Sequence, residues 1–253
     1  MKQSKRPVRN PLDYGYPTAD VAALVAKAAE VTRRLTEKYG ELPFSDKDPL
    51  SQLVDILLSH RTRDEQTAAA YDNLLSIFGS WQAVRDAPTG EVQAAIGNVN
   101  WPDVKAPRLQ TVMRQIIEER GSLNLDFLRD LPVGEGAAWL SRFDGVGPKT
   151  AACVLLFSCQ KATLPVDVHV HRVSIRLGLI GKKVSAEAAH KLLQFLLPED
   201  ARSIYNFHKA LLRHGQRICV FERPRCKQCP LTDLCDYYQT IVQPTIQGQK
   251  QIP

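Results

Sequence analysis

"AAWLSRFDGVGPKTAACVLLF", residues 137–157, is the stretch on which the fold turns. An amphipathic helix runs into Asp144-Gly145-Val146-Gly147, and a second helix opens at Pro148, a residue suited to the first helical position. Two glycines around one apolar residue permit a tight turn with positive φ angles. Val146 is expected to turn inward and lock the two helices together. The N–H groups of the bend and of the next helix then form an anion site, the physics of a helix–hairpin–helix that grips a phosphate backbone without reading sequence. A lone G-x-G also serves as a plain turn between helices, so both readings stand on these residues alone.

Lys149, on the first turn of the second helix, also has two readings. It is a solvated phosphate contact, or it is an amine nucleophile, because the positive end of the helix dipole favours the neutral amine that Schiff-base chemistry requires. Asp167 in "LPVDVHVHRV" (164–173) stands at a loop-to-helix junction, where aspartate is a common cap. Its alternative role is to stabilise cationic charge on a reacting sugar. A permanent ion pair with Lys149 would hold the lysine protonated, so the two must lie near each other without being locked.

Outward from this segment the periodicity is helical. Leu50, Leu53, Val54, Leu57 and Leu58 share one face behind the Asp48-Pro49 start. Thr62 and Glu65 have capping-box spacing ahead of "RDEQTAAAYDNLLSIFG" (63–79). "PDVKAPRLQTVMRQIIEERG" (102–121) ends at a glycine, "VSAEAAHKLLQFLLP" (184–198) starts at Ser185, and "EDARSIYNFHKALLRHG" (199–215) is read as ending at Gly215. Only "ATLPVDVHV" (162–170) is mildly strand-like. The fold class is all-α. Residues 1–16, carrying Lys2, Lys5, Arg6 and Arg9, and the Gln-rich end 239–253 read as flexible tails.

The chain of 253 residues is long enough for one large or two modest domains. No apolar run approaches the roughly 20 residues of a membrane span, and the start lacks the apolar stretch of a secretory signal. A cytoplasmic protein is expected, nucleoid-associated if bacterial. A net charge of +6 mildly favours a polyanionic partner, although excess lysine also serves solubility. Four of the six cysteines fall in "CVFERPRCKQCPLTDLC" (219–235), spaced C-x6-C-x2-C-x5-C. In a reducing compartment such a cluster more often holds metal than disulfides, and the spacing leaves zinc and iron–sulfur both open. Cys153 and Cys159 read as buried apolar fillers. Arg217, Arg223, Arg225 and Lys227 are phosphate contacts or simply solvated.

"FDGVGPKTAACVLLF", "VDVHVHRV" and "LLRHGQRICVFERPRCKQCPLTDLC", in this order, resemble three signatures of the endonuclease III-type DNA glycosylase/AP lyases, within the helix–hairpin–helix glycosylase superfamily. The resemblance covers roughly residues 20–236. It implies two helical domains flanking a DNA-binding cleft: a six-helix barrel (43–159) with the hairpin, and an iron–sulfur cluster domain (17–42 with 160–238). It implies that Lys149 forms the Schiff base and that Asp167 is the catalytic carboxylate. Cys219, Cys226, Cys229 and Cys235 become ligands of a [4Fe-4S] cluster with a structural role. Gly145, Val146, Gly147, Thr150, His60, Arg61 and His169 become DNA-binding positions. The implied activity is removal of damaged, oxidised pyrimidines from double-stranded DNA by a monomer, followed by strand cleavage at the abasic site.

The sequence departs from the family at Leu58-Ser59-His60-Arg61-Thr62-Arg63-Asp64. There the usual pattern is L-S-x-Q-T-x-D, and Arg61 replaces the glutamine that fills the gap left by an extruded nucleotide. Arginine can fill such a gap while hydrogen-bonding the orphan base and phosphates. The departure leaves open a uracil or mismatched-thymine glycosylase. A non-catalytic DNA-binding module and a zinc-bound structural protein compete with the enzyme reading. Val99, Asn100 and Trp101 are further insertion candidates, with Trp101 read as core packing.

Overall fold

The computed structural model describes residues 11–249. In chain order the helices are α1 (Val21–Tyr39), α2 (Pro49–Ser59), α3 (Asp64–Phe78), α4 (Trp81–Asp86), α5 (Thr89–Ala95) and α6 (Pro102–Arg120). They continue with α7 (Val133–Leu140), α8 (Pro148–Phe157), α9 (Val168–Leu177), α10 (Ala186–Phe195), α11 (Ala201–Arg217) and α12 (Gln243–Gln249). No strand occurs among the described residues, and the stretch 162–170 runs directly into α9. None of the helices is long and apolar enough to cross a membrane, among the described residues. The chain divides into two compact units, one of Met1–Pro43 with Val166–Pro253 and one of Phe44–Pro165.

The unit Phe44–Pro165 is built around α8. Every residue from Thr150 to Phe157 is buried, as expected of a helix that is apolar on all faces. It packs against α2 and α7. Gly136 lets α7 approach closely, since a Cβ there would lie 3.1 Å from Leu155 Cδ2. α2 starts as its sequence predicts: Pro49 follows Asp48, whose Oδ1 accepts from Leu50 N at 2.9 Å and Ser51 N at 3.0 Å. The predicted capping box at α3 does not form. Arg63 is the N-cap and uses no side-chain cap, because the Thr62 hydroxyl is engaged elsewhere, with Lys105 and Asn100.

The unit combining the two ends of the chain packs α11 against α1 and α9. Leu24, Ala28, Val31 and Leu35 form the buried stripe of α1, spaced by three or four residues as a helix face requires. Ile204, Phe207 and Leu211 answer from α11, and Val170, Val173 and Leu177 from α9. Contrary to expectation α11 runs past Gly215 to Arg217. Gly215 is a point of close approach instead, since a Cβ there would lie 2.7 Å from His169 Cβ. The ends are also more structured than expected. Pro11–Tyr14 forms a 3-10 turn, Gly181 N donates to Gly15 O at 2.7 Å, and the buried Tyr16 donates to Leu192 O at 2.9 Å. Tyr238–Val242 and α12 are helical, although α12 contains Pro244 and Gly248, both poor helix formers. Residues 1–10 and 250–253 of the expected tails lie outside the described residues.

Leu155→Ala should destabilise the protein by about 2–5 kcal/mol, the range for deleting a fully buried leucine. Urea unfolding monitored by circular dichroism measures it, with the midpoint falling at an unchanged slope.

Candidate functional site

The bend before α8 contains one left-handed residue. Gly145 has φ 79°, where side chains other than glycine's are strained. Gly147 does not share it: at φ −87°, ψ −179° it is extended backbone, which corrects the expectation of two positive φ angles. Val146 is buried, and its N–H donates to Phe143 O at 3.1 Å, as the hairpin reading requires. Arg108 of α6 lies across the bend, donating from Nε to Asp144 Oδ2 at 2.8 Å. A Cβ at Gly145 would come within 2.7 Å of its Cδ, so this contact is a second reason for glycine there. Gly147 caps α8 without any side-chain hydrogen bond, and a Cβ on it would meet nothing within 4 Å. Pro148 has no N–H, and the N–H groups that follow it in the first turn of α8 meet no side-chain cap.

Beside this bend Thr150 is buried, and its hydroxyl lies 3.1 Å from His60 Nε2. Burial first, then the charges of Lys149, Lys105 and Arg108, push the His60 imidazolium down to about 4, so the ring is neutral near pH 7. The side chains of Val146 and Thr150 are interior, which leaves only their backbone for contact with a polyanion.

The loop after α2 is fastened by a residue that sequence reasoning missed. Lys105, 4% exposed on the first turn of α6, donates to Leu58 O (2.6 Å), His60 O (2.9 Å) and Thr62 Oγ1 (2.8 Å). Burial lowers its pKa to about 8. The signal was present, since Lys105 lies four residues before Leu109 on the apolar face of the helix. The neighbouring loop joins in: Asn100 N donates to Thr62 Oγ1 at 3.3 Å, the Asn100 side-chain amide donates to Arg61 O, and Gln66 and Asn98 exchange amide-to-carbonyl hydrogen bonds.

Within this frame Arg61 (φ 51°) and Trp101 (φ 55°) both take left-handed backbone. The Arg61 guanidinium sits 5.7 Å from the Trp101 ring centroid. Trp101 is 50% exposed, so its reading as core is corrected; Val99 is the buried member of that loop.

Asp167 caps α9, with Oδ1 accepting from His169 N and Val170 N, both at 2.8 Å. It belongs to the unit formed by the two chain ends, whereas Lys149 belongs to the other. His169 Nδ1 accepts from Arg172 Nη2 at 3.0 Å, since arginine only donates. The same guanidinium reaches Gly215 O at 2.9 Å and, through Nε, Cys219 O at 3.1 Å.

Cys219, Cys226, Cys229 and Cys235 line one cavity together with His214 and Arg176. Burial pushes the Cys229 thiol up to about 11 and raises Cys226 and Cys235, with neighbouring thiolates adding to each. Among the described residues no three metal-ligating side chains converge on a single ion. Four cysteines lining one cavity are a donor set that fits an iron–sulfur group, and a zinc ion as well. Cys153 is buried as expected. Cys159 is only half-buried and lies beyond the end of α8. Arg217, Arg223, Arg225 and Lys227 are exposed around the cysteine loop.

A glycine bend feeding bare helix N–H groups, with a lysine on the first turn, defines the helix–hairpin–helix class of DNA-binding proteins. Residues 54–199 match the model described as "HhH-GPD superfamily base excision DNA repair protein". Endonuclease III of Thermotoga maritima is 32% identical over 212 residues, covering 84% of this chain and 92% of that protein. DNA glycosylase/AP lyase ROS1 of Arabidopsis thaliana is 26% identical over 189 residues, covering 69% of this chain but 13% of that one. A non-covalent endonuclease III–DNA complex shares the fold, with TM-score 0.73 at 21% identity over 87% of this chain and 98% of that one. The chain belongs to the HhH-GPD superfamily and, within it, is an endonuclease III-type DNA glycosylase/AP lyase.

His60 sets an acid limit on stability. Its folded pKa lies below the ordinary 6.5, so unfolding takes up a proton, and stability present above pH 6.5 is lost as the pH falls towards 4. Thermal midpoints recorded across that window should fall less steeply in His60→Ala than in the wild type.

Proposed function

We propose that this chain excises damaged pyrimidines, oxidised ones above all, from duplex DNA and cuts the strand at the resulting site. The observation that carries this reading is Lys149 on the first turn of α8, directly behind the Gly145 bend, with the neutral His60–Thr150 pair beside it. The hairpin N–H groups and exposed basic side chains hold backbone phosphates. The reaction requires Lys149 and Asp167 to meet at one deoxyribose of the bound duplex. Extruding the nucleotide costs a few kcal/mol, and less where damage has weakened its pairing. Arg61 occupies the gap, presented by the loop that Lys105 fastens.

As the bond between base and C1′ breaks, the base departs with the bonding electrons and Asp167 stabilises the positive charge left on the sugar. The amine of Lys149 bonds to C1′ and, losing its protons as the sugar ring opens, becomes an imine. Removal of a C2′ proton then expels the 3′ phosphate, and water later hydrolyses the imine to free the lysine.

Cys219, Cys226, Cys229 and Cys235 would hold a [4Fe-4S] cluster, supported by their common cavity and by the four-cysteine donor set such clusters use. When bound, the cluster supplies a covalent tie between the four thiolates, a structural role.

Borohydride added to the protein on an abasic-site duplex should trap a covalent adduct that Lys149→Ala abolishes. No adduct from the wild type would favour a DNA-binding module without lyase chemistry. Duplexes each carrying one lesion should be cut best at oxidised pyrimidines, and Arg61→Gln should change that profile. Preference for uracil or mismatched thymine would replace the substrate assignment, and cleavage never above that of undamaged DNA would end the repair reading.

A further inference from the structure

Two side chains outside the reacting centre reach cysteine sulfurs with hydrogen-bonding groups, and a third stands behind one of them. His214, buried in α11, has Nε2 3.4 Å from Cys229 Sγ and Nδ1 3.0 Å from the Tyr39 hydroxyl. Arg176 of α9 donates from Nη1 to Cys219 Sγ at 3.3 Å and to Val220 O at 2.7 Å, and from Nη2 to Phe221 O at 2.8 Å. Its guanidinium also lies 4.9 Å from the Tyr237 ring centroid, which restrains it from swinging away from the sulfur.

The direction of these bonds follows from what a metal-bound cysteine can do. A thiolate ligand has no hydrogen, so its sulfur only accepts. Nε2 of His214 must then carry the ring hydrogen, and Nδ1 must accept from the Tyr39 hydroxyl. Tyr39 thus fixes the tautomer that points an N–H at Cys229. Cys235 differs, because its Sγ faces the Arg176 carbonyl at 3.2 Å, an acceptor that offers a thiolate nothing. The described donors therefore favour Cys219 and Cys229, and the guanidinium charge sits on the Cys219 side.

We propose that Tyr39, His214 and Arg176 set the reduction potential of the iron–sulfur group, holding it above the value the four thiolates alone would give. This rests on the reading of the four cysteines as ligands to that group. Reduction adds negative charge that spreads onto the ligand sulfurs, and N–H donors with a nearby cation stabilise the added charge. Tyr39 acts only through His214 and is a positioning residue.

Voltammetry of the holoprotein, with visible absorbance recorded on the same sample, tests the proposal. His214→Met removes the donor and should make the potential more negative, by about tenfold in the reduction equilibrium, or ~59 mV for a one-electron couple. Tyr39→Phe keeps the ring, loses the hydroxyl, and should shift the potential the same way by less. His214→Gln restores an N–H and should lie nearer the wild type than His214→Met does. Should His214→Met fail to load, the comparison of Tyr39→Phe with wild type decides. Unmoved potentials in fully absorbing variants overturn the proposal and leave the cluster reading intact. A wild-type protein without visible absorbance after reconstitution with iron and sulfide overturns both.

Discussion

Enclosure of α8 from Thr150 to Phe157 constrains the bend that leads into it. A helix buried on all faces cannot rotate or slide without opening cavities, and its first turn inherits that rigidity. Lys149 is the long polar side chain this turn carries towards its half-exposed edge. The bend before it is pinned from both sides, by Val146 turned into the core and by Arg108 lying over Gly145. Rigid packing thus places a flexible amine, and no side-chain cap is needed at the helix start to do it.

α9 does comparable work in the unit formed by the chain ends. Asp167 caps its first turn, and two arginines further along, Arg172 and Arg176, both reach the Cys219 carbonyl. The cysteine loop and the aspartate are therefore held by the same short helix. α1 clasps the far side of the loop: Arg34 donates to Asp233 Oδ1 at 2.7 Å and to Pro230 O at 3.1 Å, and Lys27 reaches Asp236 at 2.7 Å. These exposed ion pairs add little energy individually, but they act where segments from opposite ends of the chain must meet. Gly178, at φ 73°, ends α9 where any Cβ would collide with the Asp236 carboxylate.

Local rules made much of this legible in the sequence. The Asp48 and Ser185 caps, the glycine stops at residues 79 and 121, and the inward turn of Val146 depend on neighbours a few residues away. What failed to show depends on distant partners. Gly215 looks like a helix stop until His169 is seen against it. Thr62 has cap spacing, but Lys105 and Asn100 take its hydroxyl. Trp101 carries an aromatic that composition assigns to a core, whereas a left-handed backbone turns it outward to Arg61. The four cysteines were visible by spacing, and His214 lies in the same quoted stretch, but the tyrosine behind it comes from α1 and belongs to no motif.

The Lys105 ammonium has one further consequence. Closed off from solvent and held by three oxygens, it should be among the slowest amines in the molecule to acylate, while lysines on the outer surface react at once. Its modification would therefore clock the breathing of the loop that presents Arg61, an internal timer written into the chemistry of a single side chain.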